Sequence, residues 1–180
     1  MLRITIPEFE IFDEVKEEFI YIKSQTLQLE HSLVAISKWE SKWHKPFLGT
    51  EEKTQEETLD YIRCMTITQN VNKFVYLGLT NELLSQITDY IGDSQTATWF
   101  RNDGSNANNG EIVTSELIYY WMIALGIPSE YQKWHLNRLL TLIRVCNVKN
   151  APPKKMNSRE IARRNSEINK ARRAKWNTRG

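Results

Sequence analysis

The stretch Ser115–Asn150, SELIYYWMIALGIPSEYQKWHLNRLLTLIRVCNVKN, is the most apolar part of this 180-residue chain and predicts two helices joined at a proline corner. In its first half, apolar side chains recur at i, i+3, i+4, i+7 and i+8, and others fill the remaining sides, so we expect a helix that is buried nearly all round. Thr114 is the expected N-cap, with Ser115 as the alternative, and Gly126 and Pro128 end the helix. This helical hairpin is the predicted centre of the core.

The second helix of the hairpin is predicted from Ser129 to about Val148, with one apolar face and one polar face. The apolar face consists of Leu136, Leu139, Leu140, Ile143 and Cys146. A polar cluster of Trp134, His135, Asn137 and Arg138 lies near its start. The cluster is either a binding surface or a tryptophan packed on the neighbouring loop with Arg138 laid along it, and we favour the second interpretation.

The N-terminal residues predict a small antiparallel ribbon. Leu2–Ile6 alternates apolar and polar residues, Phe9–Phe12 gives a second short strand, and Glu18–Ile22 gives a third that is rich in aromatic and β-branched residues. Such a ribbon is not stable alone, so we expect it to pack on helices.

Three further helices are predicted before the central hairpin. The first runs from Leu29 to Trp43, with Lys38, Glu40, Ser41 and Lys42 on its solvated face. A capping box at Thr54–Glu57 opens the second helix, which runs through Met65, and Thr80 caps a third that ends at Gly92. The turn-rich residues 101–110 predict a flexible surface loop. The predicted fold class is therefore α+β, mainly α, with the β-ribbon packed on a helical core.

Charge is distributed unevenly along the chain. Residues 151–180 hold ten Lys or Arg against two Glu, a net charge of +8, so residues 1–150 carry −6 because the whole chain is +2. Pro152 and Pro153 break the chain, and a weakly amphipathic helix capped by Asn157 or Ser158 is expected to run to about Trp176. We predict a globular domain over residues 1–150 and a basic helical arm over residues 151–180.

The basic arm is the one feature with a functional signal. Its simplest interpretation is a solvated end, its second is a docking element for an acidic protein surface, and its third is a contact with the phosphate backbone of a nucleic acid. Base readout is disfavoured because Trp176 is the only aromatic residue in the arm. The residues predicted to bind a partner are Arg163, Arg164, Arg172, Arg173 and Trp176.

No pattern in the chain predicts a reaction. The histidines His31, His44 and His135 lack ligand spacing, and no nucleophile elbow, phosphate loop or dinucleotide turn is present. The acidic pairs Glu17-Glu18 and Glu56-Glu57 fall on predicted solvated faces, and Cys64 and Cys146 are expected to be reduced core residues. We therefore expect no enzyme, no cofactor and no metal site. Neither a signal peptide nor a membrane-spanning segment is predicted, so we expect an intracellular protein with no membrane partner.

Four segments resemble one group of known proteins when taken together. They are EHSLVAISKWESKWHKPFL (Glu30–Leu48), TSELIYYWMIALGIP (Thr114–Pro128), WHLNRLLTLIRVCN (Trp134–Asn147) and INKARRAKWNTRG (Ile168–Gly180). The set resembles small proteins of tailed bacteriophages of Gram-positive hosts, some of which are labelled tail assembly chaperones.

The resemblance covers most of the chain and brings no catalytic residues with it. It implies a non-enzymatic assembly protein in the cytoplasm of the infected bacterium. The partners that it implies are the tape measure or tube proteins of the tail, with self-association as a further expectation. The alternatives are a structural protein of the tail or head–tail region that stays in the virion, and a nucleic-acid-binding accessory protein that uses the basic arm.

Overall fold

The computed structural model describes residues 1–13, 17–100, 112–152 and 158–176. The chain divides into two compact units, Met1–Asn147 and Val148–Gly180. The described residues form four short antiparallel strands, arranged in two small sheets, and six α-helices. They also form two short 3₁₀ segments. This arrangement confirms the predicted α+β, mainly α class. The predicted loop at 101–110 lies outside the described residues.

The N-terminal ribbon has four strands rather than the three predicted. They are β1 (Leu2–Ile6), β2 (Phe9–Asp13), β3 (Glu18–Ile22) and β4 (Gln25–Leu29). β1 pairs with β4, and β2 pairs with β3, so β2 and β3 form a hairpin nested between the outer two strands. The prediction that a helix begins at Leu29 was wrong, because Leu27 and Leu29 alternate with polar residues and fill the core from β4.

The ribbon changes its buried face at a corner between the two sheets. In β1 the even-numbered residues Ile4 and Ile6 point into the core, whereas in β2 the odd-numbered residues are the ones that are partly buried. Pro7 stands at the corner and has no N–H to give to the ladder. Across the corner, the Ser24 hydroxyl donates a hydrogen bond to the Ile6 carbonyl at 3.0 Å.

A 3₁₀ segment at Val75–Gly78 packs closely on this corner. A Cβ at Gly78 would lie 2.8 Å from Cγ2 of Ile6 and 2.8 Å from Cδ1 of Phe9, which is closer than carbon atoms approach in real contacts. Gly78 therefore lets the backbone approach the ribbon where any other residue would displace it.

Apart from α1, whose predicted start at Leu29 was wrong, the helices begin and end close to the predicted positions, with one exception. The six helices are α1 (Leu33–Trp43), α2 (Gln55–Met65), α3 (Asn81–Gly92), α4 (Ser115–Ala124), α5 (Leu136–Asn150) and α6 (Ser158–Trp176). The predicted caps Thr54, Thr80 and Thr114 each accept a hydrogen bond from the third residue of their helix. The capping box of Thr54 and Glu57 is complete.

The exception is the start of the second hairpin helix. Ser129–Lys133 forms a separate 3₁₀ segment, Trp134 is extended, and α5 begins only at Leu136. The break has a tertiary cause, because His135 pairs with Ser32 as an isolated β-bridge and the Leu136 N–H donates to the His31 carbonyl at 2.7 Å.

The core lies where the β1–β4 sheet meets α1, α2 and the inner faces of α4 and α5. Its most enclosed side chains include Leu27, Leu29, Leu33, Ile36, Trp39, Ile118 and Leu139. The prediction that α4 is buried nearly all round was wrong: Ile118 and Met122 face the core, but Tyr120 and Ile123 are 63% and 79% exposed. On α5, Leu136, Leu139 and Ile143 are buried as predicted.

Candidate partner-binding surfaces

The five residues predicted to bind a partner all lie on α6 or at its end. The side chains described for this helix are exposed, and Trp176 at its last position is 70% exposed. From Ser158 to Trp176 the sequence has seven Lys or Arg against two Glu, a net charge of +5. The second unit therefore presents a basic helix of 19 residues.

The turn of the helix separates the four predicted arginines into two groups. At 3.6 residues per turn, Arg164 and Arg172 lie on the same side as Ile161 and Ile168, whereas Arg163 and Arg173 lie on other sides. Arg163 also forms an ion pair with Glu167, one turn further on, with Nε 3.3 Å from Oε1. We define the α6 stripe as the residues of one side: Ile161, Arg164, Ile168, Arg172, Lys175 and Trp176.

A second exposed surface lies on the β2–β3 hairpin and was not predicted as a site. Phe12 faces Phe19 across the pair, and their rings lie 5.1 Å apart in a tilted arrangement. Glu10 faces Tyr21 in the next pair on the same side of the sheet. Phe12, Phe19 and Tyr21 are 52%, 71% and 52% exposed. We call this side, with Glu8, Glu10, Phe12, Phe19 and Tyr21, the ribbon face.

The ribbon face combines aromatic rings with negative charge. The Tyr21 hydroxyl donates a hydrogen bond to the Glu8 carboxylate, and this bond raises the pKa of Tyr21. Residues 8–18 hold six acidic residues and one lysine, a net charge of −5. Nearly all of the excess negative charge of residues 1–150 therefore falls on one hairpin. The run of acids was visible in the sequence, but only the strand register shows that the aromatic rings share one side.

The buried carboxylates of the first unit are fully engaged in structure. Glu40 was predicted on a solvated face, but it is buried and accepts hydrogen bonds from the N–H groups of Phe47 and Ser115, each at 2.8 Å. Glu57 was also predicted to be solvated, yet it is 2% exposed. Lys45 donates to Glu57 at 2.7 Å, and this bond, with that of the Thr54 N–H, lowers the pKa of Glu57.

Asp60 is held in the same way beside α1. Its burial opposes ionisation, but hydrogen bonds from Lys42 at 2.5 Å and from the Trp43 indole at 2.9 Å outweigh it, so the pKa of Asp60 is lowered. A carboxylate that is held ionised by its partners is a poor proton donor near neutral pH. These groups tie α1 to α2 and do not form an acid–base pair.

The structure brings together two histidines that the sequence separates by a hundred residues. The rings of His31 and His135 lie 5.1 Å apart and both are buried. The Nε2 atom of His135 lies 3.0 Å from the Tyr90 carbonyl, and its Nδ1 lies 3.3 Å from the Asn137 N–H. Because a carbonyl only accepts, Nε2 carries the proton and Nδ1 accepts.

Both imidazole rings are thus held by hydrogen bonds within the fold. His31 Nδ1 bonds the Tyr61 hydroxyl at 2.5 Å, and burial, with the neighbouring His135, lowers the pKa of His31 to about 4. His31 is therefore neutral at physiological pH. In the described part of the chain, no group of three or more His, Cys, Asp or Glu side chains is placed to hold a metal ion.

The polar cluster at the start of α5 has the packed arrangement favoured from the sequence. The Arg138 guanidinium lies over the Trp134 ring at 4.1 Å, and the Tyr131 ring stacks on Trp134 at 4.2 Å. Asn137, a member of this polar cluster, donates from Nδ2 to the carbonyls of Ile91 and Asp93. The cluster fastens α5 to the end of α3.

The cysteines are free thiols without a reactive setting. Cys64 and Cys146 are each half-buried and unbridged. Burial raises the pKa of the Cys64 thiol, which keeps it protonated near neutral pH. Over the described ranges, no helix combines the length and the apolar character needed to cross a bilayer.

Comparison of the chain with protein-family models, with curated proteins and with solved structures gives no match. No residue role therefore comes to this chain from a relative.

Proposed function

We propose that this protein is a non-enzymatic, protein-binding factor of bacteriophage tail assembly, a tail assembly chaperone that acts with the tape measure protein. The phage setting is supported by the resemblance of the segments at Glu30–Leu48, Thr114–Pro128, Trp134–Asn147 and Ile168–Gly180. The binding role is supported by α6, whose described side chains are exposed and whose net charge is +5.

An exposed helix with this composition is suited to docking on a partner. Most helical stability in proteins comes from packing of an apolar side rather than from the intrinsic preference of the residues. Ile161 and Ile168 are 45% and 41% exposed, so a partner that covered them would supply that packing. The α6 stripe would then hold an apolar strip flanked by cations.

Electrostatics favours a protein partner with an acidic surface. Arg164 and Arg172 border the apolar strip and would form the charged rim of the interface, where charges speed association and set orientation. Such contacts are screened by salt, so binding through the stripe should weaken as the ionic strength rises. The single aromatic residue of α6, Trp176, gives little means of stacking on bases.

The decisive experiment is complementation of a phage that lacks this gene. The variant Arg164→Glu/Arg172→Glu should give few or no tails by electron microscopy, because it reverses the charge of the stripe. The matched variant Arg164→Lys/Arg172→Lys keeps the charge and should support tail formation. Normal tails with the charge-reversed variant would refute the proposal.

Mass spectrometry of purified virions separates the chaperone from its alternative. A chaperone is absent from the mature particle, whereas a structural protein of the tail or head–tail region is present in stoichiometric amount. Binding of the intact protein to DNA with a steep salt dependence that is lost on removal of residues 151–180 would instead establish a nucleic-acid-binding function.

A further inference from the structure

We infer that the α6 stripe of one copy docks on the ribbon face of a second copy, so that the protein associates with itself head to tail. The inference rests on the proposed protein-binding role of α6 and deepens it by naming a partner surface. Its basis is the complementarity of two exposed surfaces within one sequence.

Charge is the first part of that complementarity. The ribbon face carries two carboxylates, Glu8 and Glu10, and the α6 stripe carries three cations, Arg164, Arg172 and Lys175. Glu8 and Glu10 are exposed at one end of the ribbon face, and Arg164 and Arg172 are exposed on the stripe. Opposite potentials of this kind steer encounter and fix the orientation of docking.

Apolar surface is the second part. Phe12 and Phe19 form an uncovered aromatic pair, and Ile161, Ile168 and Trp176 are the exposed apolar side chains of α6. The other side of the hairpin already packs on the core through Phe9, Ile20 and Ile22, so Phe12 and Phe19 are on the side that is left exposed. Contact with α6 would cover this aromatic pair and the apolar side of the helix together.

Size is the third part. Ile161 to Trp176 spans about 22 Å of helix at 1.5 Å per residue. A five-residue strand spans about 17 Å. A helix laid along the hairpin can thus place one of its two isoleucines against the Phe12–Phe19 pair, while the other lies about 10 Å further along, toward Tyr21.

The two surfaces differ, so the contact is heterologous. Each copy has one ribbon face and one α6 stripe, and such contacts build rings when the rotation closes and open arrays when it does not. A ring of two copies, in which each stripe docks on the ribbon face of the other copy, is a reciprocal dimer, so we expect dimers or larger species as the protein concentration rises.

The test is sedimentation velocity of the full chain and of two charge-reversed variants. The first variant, Glu8→Lys/Glu10→Lys, has a basic ribbon face and a basic arm. The second variant, Arg164→Glu/Arg172→Glu, has an acidic ribbon face and an α6 stripe that has lost its positive charge. Each variant alone should associate at least about tenfold more weakly than the natural protein. An equimolar mixture should recover association, because the basic arm of the first variant meets the intact ribbon face of the second.

Glu51→Lys/Glu52→Lys is the matched control, since it changes the net charge equally at an exposed site outside the ribbon face. It should associate like the natural protein. Circular dichroism of every variant establishes that it is folded, and association of the natural protein should weaken as NaCl is raised. Phe12→Ser should also weaken association, with little change in its salt dependence.

The inference is overturned if the natural protein stays monomeric, if either variant associates like the natural protein, or if the mixture remains monomeric. A monomeric mixture would mean that the stripe serves another partner or its own chain. The proposed function is judged separately. It stands if the arm-reversed phage makes no tails although the protein is monomeric, and it falls if that phage makes normal tails.

Discussion

Replacement of Glu40 by alanine should be among the most damaging single changes to this fold. Glu40 is 7% exposed on α1, yet its carboxylate reaches two other segments. Oε1 accepts from the Phe47 N–H in the loop after α1, and Oε2 accepts from the Ser115 N–H at the first residue of α4. One side chain thus joins three parts of the first unit.

The magnitude follows from those two bonds. Glu40→Ala leaves two buried N–H groups without an acceptor, and each unsatisfied group costs about 1–3 kcal/mol. The N-terminus of α4 also loses a nearby anion, which is worth about 0.3–1 kcal/mol. Together these contributions predict a loss of about 2–7 kcal/mol in the free energy of unfolding. Glu40→Gln keeps one accepting oxygen but turns an NH₂ toward the other N–H, so it should lose roughly half as much.

Urea denaturation followed by circular dichroism measures the effect, with the slope of the transition checked for constancy. Glu116→Ala is the matched control, because Glu116 is an exposed carboxylate in the first turn of α4, the helix whose N-terminus Glu40 contacts. It should cost less than about 1 kcal/mol. If Glu40→Ala and Glu116→Ala destabilise the protein equally, Glu40 does not join α1 to α4 in the way described.

Two further changes test other parts of the first unit. Gly78→Ala should destabilise the fold by about 1–3 kcal/mol, because the new Cβ would overlap the Phe9 ring and force the ribbon corner to move; an unchanged thermal midpoint would refute the close approach. His31 binds a proton below pH 6.5 when unfolded but only below about 4 when folded, so its contribution to stability is lost as the pH falls between those values and amounts to at most about 3 kcal/mol. The melting temperature should therefore fall less between pH 7 and pH 4 for His31→Gln than for the natural protein. His44→Asn, which changes an exposed histidine, should keep the natural dependence of the melting temperature on pH.

Local signals in the sequence determined the elements of this protein. Leu2–Ile6 alternates apolar and polar residues, Glu18–Ile22 is rich in aromatic and β-branched residues, and the threonines at 54, 80 and 114 each cap the helix that follows them. These features act over a few residues and need no knowledge of the rest of the chain. The basic arm was equally visible in the sequence, because net charge is counted from the residue types alone.

Contacts between distant residues decided the rest. Gln25–Leu29 is a strand because β1 pairs with it, although its last residue also fits the helical stripe of the next segment. Trp134 and His135 interrupt a helical pattern because Ser32, a hundred residues earlier, takes His135 into a bridge. A helical period cannot reveal a competing hydrogen-bond partner that lies elsewhere in the chain.

The same limit explains the candidate surfaces. Glu40 looks like a solvated residue in the sequence, and only the arrival of α4 gives its carboxylate two buried N–H partners. The aromatic side of the β2–β3 hairpin depends on strand register, which puts Phe12 opposite Phe19 and Glu10 opposite Tyr21. Side chains share a face through pairing geometry, so the sequence supplied the charges and rings while the tertiary structure decided which of them form one surface.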